Sequence, residues 1–187
     1  DIVHLLLAFI ADHNKTLHQV GLAAFYVFLF KLTQETDLCV LTVSANRHRS
    51  ELENLIGVFV NTLPHRLIVQ PHTSFLALVE TVQDSILNTL PHAHLPFQDI
   101  ASNSTITHVQ ALFDVDDQPS NEIRLDPNTS FYPLESITTD PSCVAKFDLT
   151  CTLHHQYQPH LDEHAMMIAF NASTDLFDTE TIEMMAS

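Results

Sequence analysis

Thirteen histidines are the first residues of this 187-residue sequence that could do chemistry. His160-Leu-Asp-Glu-His164 matches the inverted zinc-protease pattern His-x-x-Glu-His, which on a helix turns both imidazoles to one face as metal ligands and leaves Glu163 as the base. Its setting is wrong for a helix: Pro159 stands before it and strand-like runs flank it, so a hairpin loop is expected, where positions four apart do not converge. A histidine-rich metal hydrolase is therefore the remotest reading. His92 and His94 flank an expected helix end, where the dipole mildly favours an imidazolium, and read as exposed polar residues.

Other chemistries meet a shortage of glycine. The two glycines, Gly21 and Gly57, form no Gly-x-Ser-x-Gly elbow, and they permit neither a phosphate-cradling loop nor a dinucleotide fingerprint. Three cysteines, Cys39, Cys143 and Cys151, are an odd number without framework spacing, which suits free thiols in a core and a reducing, cytoplasmic setting. A subtler signal lies in Asn54 to Arg66, NLIGVFVNTLPHR, where the polar pair Asn61-Thr62 interrupts an apolar, strand-like run. A buried amide must find partners, so either Asn61 bonds backbone at a strand bend or it has a functional task.

The composition bounds the rest. With 45% hydrophobic and 16% charged residues the chain is a globular protein with one full core. A formal charge of −16, from 23 acidic against 7 basic residues, excludes a nucleic-acid partner, because no Lys/Arg cluster exists to displace counterions. The most apolar run, Val20 to Phe30, falls short of the roughly 20 residues a membrane helix needs, so no membrane is expected. The sequence begins at Asp1 with no secretory-type leader, as if cut from a longer chain, and its four Asn-x-Ser/Thr sequons read as chance matches.

Periodicity supplies the elements. Helices are expected over Ile2–Ala11 and, capped by Thr16, Leu17–Leu32; a third runs from Phe75, with Leu78, Val79, Val82, Ile86 and Leu90 on one face, until Pro91 and Pro96 stop it. Strands are expected at Asp37–Ala45, Val58–Val69, Val109–Val115 and near Ser130–Ile137, with a hairpin of Lys146–Gln156 and Ala165–Thr174. A helical turn at Ser50–Glu53 and a terminal helix at Thr179–Met185 complete the series, and Asp116 to Cys143 should be the least ordered part. Helices alternating with strands early and strands dominating late predict an α/β two-layer sandwich on a mixed sheet.

Four stretches then combine: DLCVLTVSANRHRSELENLIGVFVNTLPHR (Asp37 to Arg66), HAHLPFQDI (His92 to Ile100), AKFDLT (Ala145 to Thr150) and STDLFD (Ser173 to Asp178). In order and spacing they resemble the condensation domain of nonribosomal peptide synthetases, over nearly the whole chain, and correspond to its C-terminal half. The resemblance implies that residues 1–187 form one lobe of a V-shaped pair, each lobe similar to chloramphenicol acetyltransferase. It also implies a reaction in the tunnel between lobes, where the amine of one carrier-bound substrate attacks the thioester of another to give an amide. Both substrates ride on phosphopantetheine arms of carrier domains. No covalently bound cofactor is implied for this chain, and an adenylation domain is expected nearby.

The family's His-His-x-x-x-Asp-Gly motif belongs to the N-terminal lobe, which this sequence lacks, so no catalytic residue is expected here and the chain alone should be inactive. The doublet His154-His155 begins like that motif but continues to Pro159-His160, on the wrong strand. The resemblance places Ser44, Arg47, Asn61, Thr62 and Gln110 along the channel or the lobe interface. Arg47 matches an arginine that pairs with the motif's aspartate across the lobes; alone it would lack that partner and leave a wet, sticky face. Several positions depart from the family. Leu41 and Val43 replace a usual glycine and proline, His94 stands where an acid is common, and the segment before Phe113 is short and lacks an arginine and an Asn-Pro pair. Those departures imply the other reading kept here, a binding or scaffold module that retains the fold and catalyses nothing.

Overall fold

Thr16 sets the start of the longest helix. Its hydroxyl accepts from Gln19 N at 3.2 Å while the Gln19 side chain accepts from Thr16 N at 2.9 Å, closing a reciprocal cap. The computed structural model describes residues 2–47, 49–103, 109–116, 123–126, 129–131, 145–158 and 163–186. In chain order these form α1 (Ile2–Asp12), α2 (Leu17–Thr33), β1 (Asp37–Ser44), α3 (Ser50–Glu53), β2 (Asn61–Ile68), α4 (Phe75–Thr89), a 3-10 turn (Leu90–His92) and α5 (Phe97–Ser102). Then come β3 (Ala111–Asp116), β4 (Ile123–Asp126), β5 (Thr129–Phe131), β6 (Leu149–Gln158), β7 (Glu163–Ala172) and α6 (Thr179–Ala186).

Five strands make one mixed sheet in the order β2-β1-β3-β6-β7, with β1-β3 and β3-β6 parallel and the two edge pairings antiparallel. Alternation along each strand selects one covered face: Val40, Leu67, Ala111, Phe113, Leu149, Cys151 and Leu153 all join the core under α2 and α4. Helix α2 supplies Val20, Leu22, Phe25, Tyr26 and Leu29, and α4 supplies Leu78, Val79 and Val82. Gly21 lets α2 lie close on β3, since a Cβ there would come within 2.7 Å of Phe113 Cζ. The opposite face buries Leu41 and Leu112 at its centre and is otherwise more polar, carrying Thr62 and Arg66 on β2, Asp114 and Asp116 on β3, and His154 on β6.

The fold is the expected α/β mixed sheet with packed helices, with differences at its boundaries. The strand expected from Val58 starts at Asn61, because Val58 and Val60 lie exposed in the approach to the sheet and have no pairing partner there. Strand β6 begins at Leu149 rather than Lys146, and the hairpin ladder continues to Gln158 and Glu163. Glu163 and His164 are therefore strand residues, which rules out the helical metal-ligand geometry, while His160 lies outside the described residues. Helix α5 has no counterpart among the expected elements; Pro96 caps it without a side-chain bond. Of the segment from Asp116 to Cys143, β4 and β5 are described as an antiparallel pair, and most of the strand expected at Ser130–Ile137 lies outside the described residues. The scarcity of glycine shows in the turns: among the described residues Asn14, Gln34 and Asn46 take positive φ, and no glycine does.

No single helix among the described residues is long and apolar enough to cross a membrane.

Candidate functional site

The C-terminal end of β1 gathers most of the candidate residues. Asn46, at φ 53, turns the chain there, and its amide donates to Ser44 Oγ at 3.2 Å. The turn directs Arg47 back over its own loop. The guanidinium donates to the carbonyl of Leu52, to Leu55 O at 2.8 Å and to Gly57 O at 3.0 Å, and it lies 4.4 Å from the centre of the Phe59 ring. The expectation of an orphaned Arg47 is thus corrected: its fork of donors is filled by loop carbonyls and its flat face by an aromatic ring. Stickiness on this rim comes instead from Leu55, Ile56, Val58 and Val60, all exposed.

Asn61 answers the question its sequence posed. Its Nδ2 donates to Ala93 O at 2.8 Å and to Leu95 O at 2.6 Å, tying the start of β2 to the chain leaving α4. Ser44 is its cross-strand partner, so both lie on the helix-facing side, whereas Thr62 points to the opposite face. Gln110 is not part of this group. It immediately precedes Ala111, which pairs with Val40, and it borders Asp37, Cys39 and Leu149 at the other end of the sheet. At the usual strand rise, Gln110 stands roughly 15 Å from Ser44.

The structure adds residues that the sequence reading passed over. His65 is buried on β2, its Nε2 3.1 Å from Thr42 Oγ1, its Nδ1 3.4 Å from Ser85 Oγ, and its carbonyl accepting from Tyr26 OH at 2.6 Å. Burial first, and then neighbouring His18, pull the His65 imidazole down to about 4. His18 is lowered by burial as well, and the Tyr26 phenol is pushed up chiefly by burial. His18, Thr42, Ser44 and His65 line a cavity of about 260 Å³ that shares Leu90 with a wider recess of about 690 Å³ between Arg49, Phe59 and His94. A period-of-two reading of Leu63, His65 and Leu67 carried the signal for His65: it is a polar residue at a core-facing position.

Among the described residues the remaining titratable groups do not assemble a second centre. On the open face His154 Nδ1 sits 3.2 Å from Asp116 Oδ2, and burial, more than Asp116, raises the Asp114 carboxyl. Burial pushes the free thiols of Cys39 and Cys151 up to about 11 and about 12. His164 stacks with Tyr157 and its Nδ1 lies 3.0 Å from His155 Nε2. Among the described residues no three His, Cys, Asp or Glu side chains converge on a point that could hold a metal.

Comparison with known proteins places this geometry. The family model of the condensation domain matches residues 1–187. Surfactin synthase subunit 2 of Bacillus subtilis (strain 168) is 30% identical over 180 residues, which is 93% of this chain and 5% of that protein. Enniatin synthase of Fusarium equiseti is 30% identical over 193 residues, 97% of this chain and 6% of its own length. The chain therefore spans only a small part of these relatives. Among solved structures, the first condensation domain of the CDA synthetase superposes with a TM-score of 0.70 at 19% identity, covering 96% of this chain and 39% of that one. The X-domain from teicoplanin biosynthesis gives 0.75 at 22% identity, covering 97% and 41%.

Proposed function

We propose that this chain, which belongs to the condensation domain family, is the C-terminal lobe of a condensation domain that joins two carrier-bound thioester substrates through an amide bond. The observation that carries the reading is the coverage: nearly all of this chain matches only 39% of a solved condensation domain. In the complete enzyme the lobe supplies one wall of a shielded channel, in which holding amine and thioester together provides much of the rate. The family's motif histidine, on the other lobe, handles the proton or the orientation of the amine. Ser44 and Asn61 fit the channel end, Arg47 and Asn61 brace its loops, and the exposed Leu55, Ile56 and Val58 fit an apolar lobe interface. Thr62 and Gln110 belong to the same reading only as residues of the open face and of the far sheet end. Phosphopantetheine arms of carrier domains, and an adenylation domain that loads them, are the partners this role requires, and the cytoplasm is its setting.

The test joins the chain to an N-terminal lobe that carries His-His-x-x-x-Asp-Gly and supplies two carrier-bound aminoacyl thioesters. Amide product on the acceptor carrier, seen by intact-protein mass spectrometry, is expected from the joined lobes and not from this chain alone. A second reading, a binding module without turnover, draws support from Arg47, whose donors already serve its own loop. The X-domain, a fold neighbour, is also known in complex with OxyB from teicoplanin biosynthesis. Both carriers binding to the joined lobes with no product would favour that reading.

A further inference from the structure

The two edges of the five-stranded sheet are finished differently. At one edge, β2 carries Pro64, which has no N–H to offer a neighbouring strand, and Arg66, which forms an exposed ion pair with Asp37 through bonds of 2.8 and 2.6 Å. Both features keep a strand from pairing outward. The other edge, β7, has neither. Its ten residues, EHAMMIAFNA, include no proline, lysine or arginine. Its ladder to β6 runs from Leu149 and Ala172 to Gln158 and Glu163 in one unbroken register, with no bulge to twist the edge away. Among the described residues no strand pairs with its outer side. Its side chains are apolar and in solvent on both faces: Ile168, opposite Leu153, is 59% exposed on the helix side, and Met167, opposite His154, is 57% exposed on the other. Ile168 and Phe170 also wall a cavity of about 370 Å³ with Leu6, Phe28 and Met185, so the apolar surface continues from the edge into the helical layer.

A row of backbone donors and acceptors at a sheet edge is matched by another extended backbone, so the occupant of this edge is a strand. We infer that it is β7 of a second copy of this chain, paired antiparallel about a two-fold axis through Ile168, so that two sheets join into one. The strand is complementary to itself in that register. On the helix side Ile168 meets its own copy, Met166 meets the other copy's Phe170 and His164 its Ala172; on the other face Met167 meets Ala169 and Ala165 meets Asn171. No pair opposes two charges, and Glu163 stays outside the paired span. A slip of one residue would set helix-side positions against open-face ones, which the pleat forbids. A strand of another sequence would share the backbone bonds and lose this side-chain match. The same axis brings the two cavity mouths together at Ile168 and covers apolar surface that a single copy leaves wet. Helices α1 and α6 both pack on β7, and they extend the contact toward the roughly 20–30 residues a side of a stable interface. The formal charge of −16 on each copy opposes association at long range, so added salt strengthens the pairing.

Sedimentation velocity on the 187-residue chain, over a wide range of protein and salt concentration, tests the pairing. A species of twice the chain's mass should grow with concentration and with salt. Met167→Lys and Ile168→Lys each set charges at the junction and should weaken association on the order of ten-fold or more. Both positions are exposed, so the urea-unfolding midpoints of these variants should stay near that of the parent chain. A cysteine variant reads the register without adding charge. Ile168→Cys should bridge two copies on oxidation, because directly opposed Cβ atoms lie within disulfide reach. Ala165→Cys, which faces Asn171 of the other copy, should not, and neither should the parent chain, whose Cys39 is half-buried and Cys151 buried. A chain that stays monomeric under every condition, or a dimer that both lysine variants leave intact, would overturn the pairing. Bridging through Ala165→Cys as readily as through Ile168→Cys would overturn the register. If this chain dimerises while the joined two-lobe domain stays monomeric, the edge belongs to the other lobe and the second copy is overturned as its occupant.

Discussion

The belt around His65 and the rim around Arg47 both set polar groups among apolar ones, and they settle them in opposite ways. In the belt, His65 is 2% exposed, and its partners Thr42, Ser85 and Tyr26 come from β1, α4 and α2, so three elements must be in place before the imidazole is satisfied. In the rim, Arg47 is satisfied within ten residues of itself, by the carbonyls of Leu52, Leu55 and Gly57, while Ile56 and Val58 stay in solvent. The difference separates what stabilises this fold from what it offers to others. The belt is stabilised by burial of the two layers, and its polar groups only have to avoid being left unpaired. The rim holds its shape through side-chain clamps onto backbone, which leaves its apolar side chains available to a partner.

The largest test of this contrast lies in the belt. Phe113, 2% exposed and packed on Phe25 and Gly21, should cost about 3–5 kcal/mol when replaced by Ala, read as a lowered midpoint in urea unfolding. A loss well under that range would mean that the layers are not held by this contact.

Acid provides the next largest effect. His65 titrates near 4 when folded and at 6.5 when unfolded, so between those values the unfolded chain binds more protons and stability must fall as pH is lowered. The full contribution is present above pH 6.5, and about 3 kcal/mol is lost on approaching pH 4, with His18 adding in the same direction. Unfolding free energies measured along this pH range should show the slope, and His65→Gln should flatten it while lowering stability at neutral pH. A slope unchanged in the variant would assign the proton uptake elsewhere.

Arg47→Ala should produce the smallest global change, because it acts on the rim. Loss of its carbonyl-directed bonds should free the loop locally at a cost of about 1–2 kcal/mol, visible as faster amide hydrogen exchange at residues 52–57. Arg47→Lys should recover little of it, since an ammonium cannot serve three separated carbonyls while stacking on Phe59. If the overall melting point fell as far as in Phe113→Ala, rim and belt would be one cooperative unit and the contrast would fail.

How much of this was legible in the sequence depended on how far apart the interacting residues lie. The cap at Thr16, the apolar face of α4 and the β6–β7 hairpin were readable because each arises from residues a few positions apart. The family was readable too, since ordered motifs such as IGVFVNTLP and LPFQ carry more information than any period. Both helices that open the chain and the mixed sheet followed from those two sources.

Tertiary structure alone decided which polar residue met which partner. Asn61 and the carbonyls of Ala93 and Leu95 are more than thirty positions apart, and Tyr26 and His65 are 39 apart, so no local pattern could pair them. The same holds for separating Gln110 from Ser44, which required knowing that β3 runs parallel to β1 with Ala111 beside Val40. Arg49 and His94 were brought to one recess only by packing of the loop before β2 against the end of α4. Local chemistry along the chain determined the elements and their covered faces, because propensity, capping and burial act over a turn or a strand. The site itself was fixed by long-range closure, where hydrogen-bond demand and the register of distant strands choose a single arrangement.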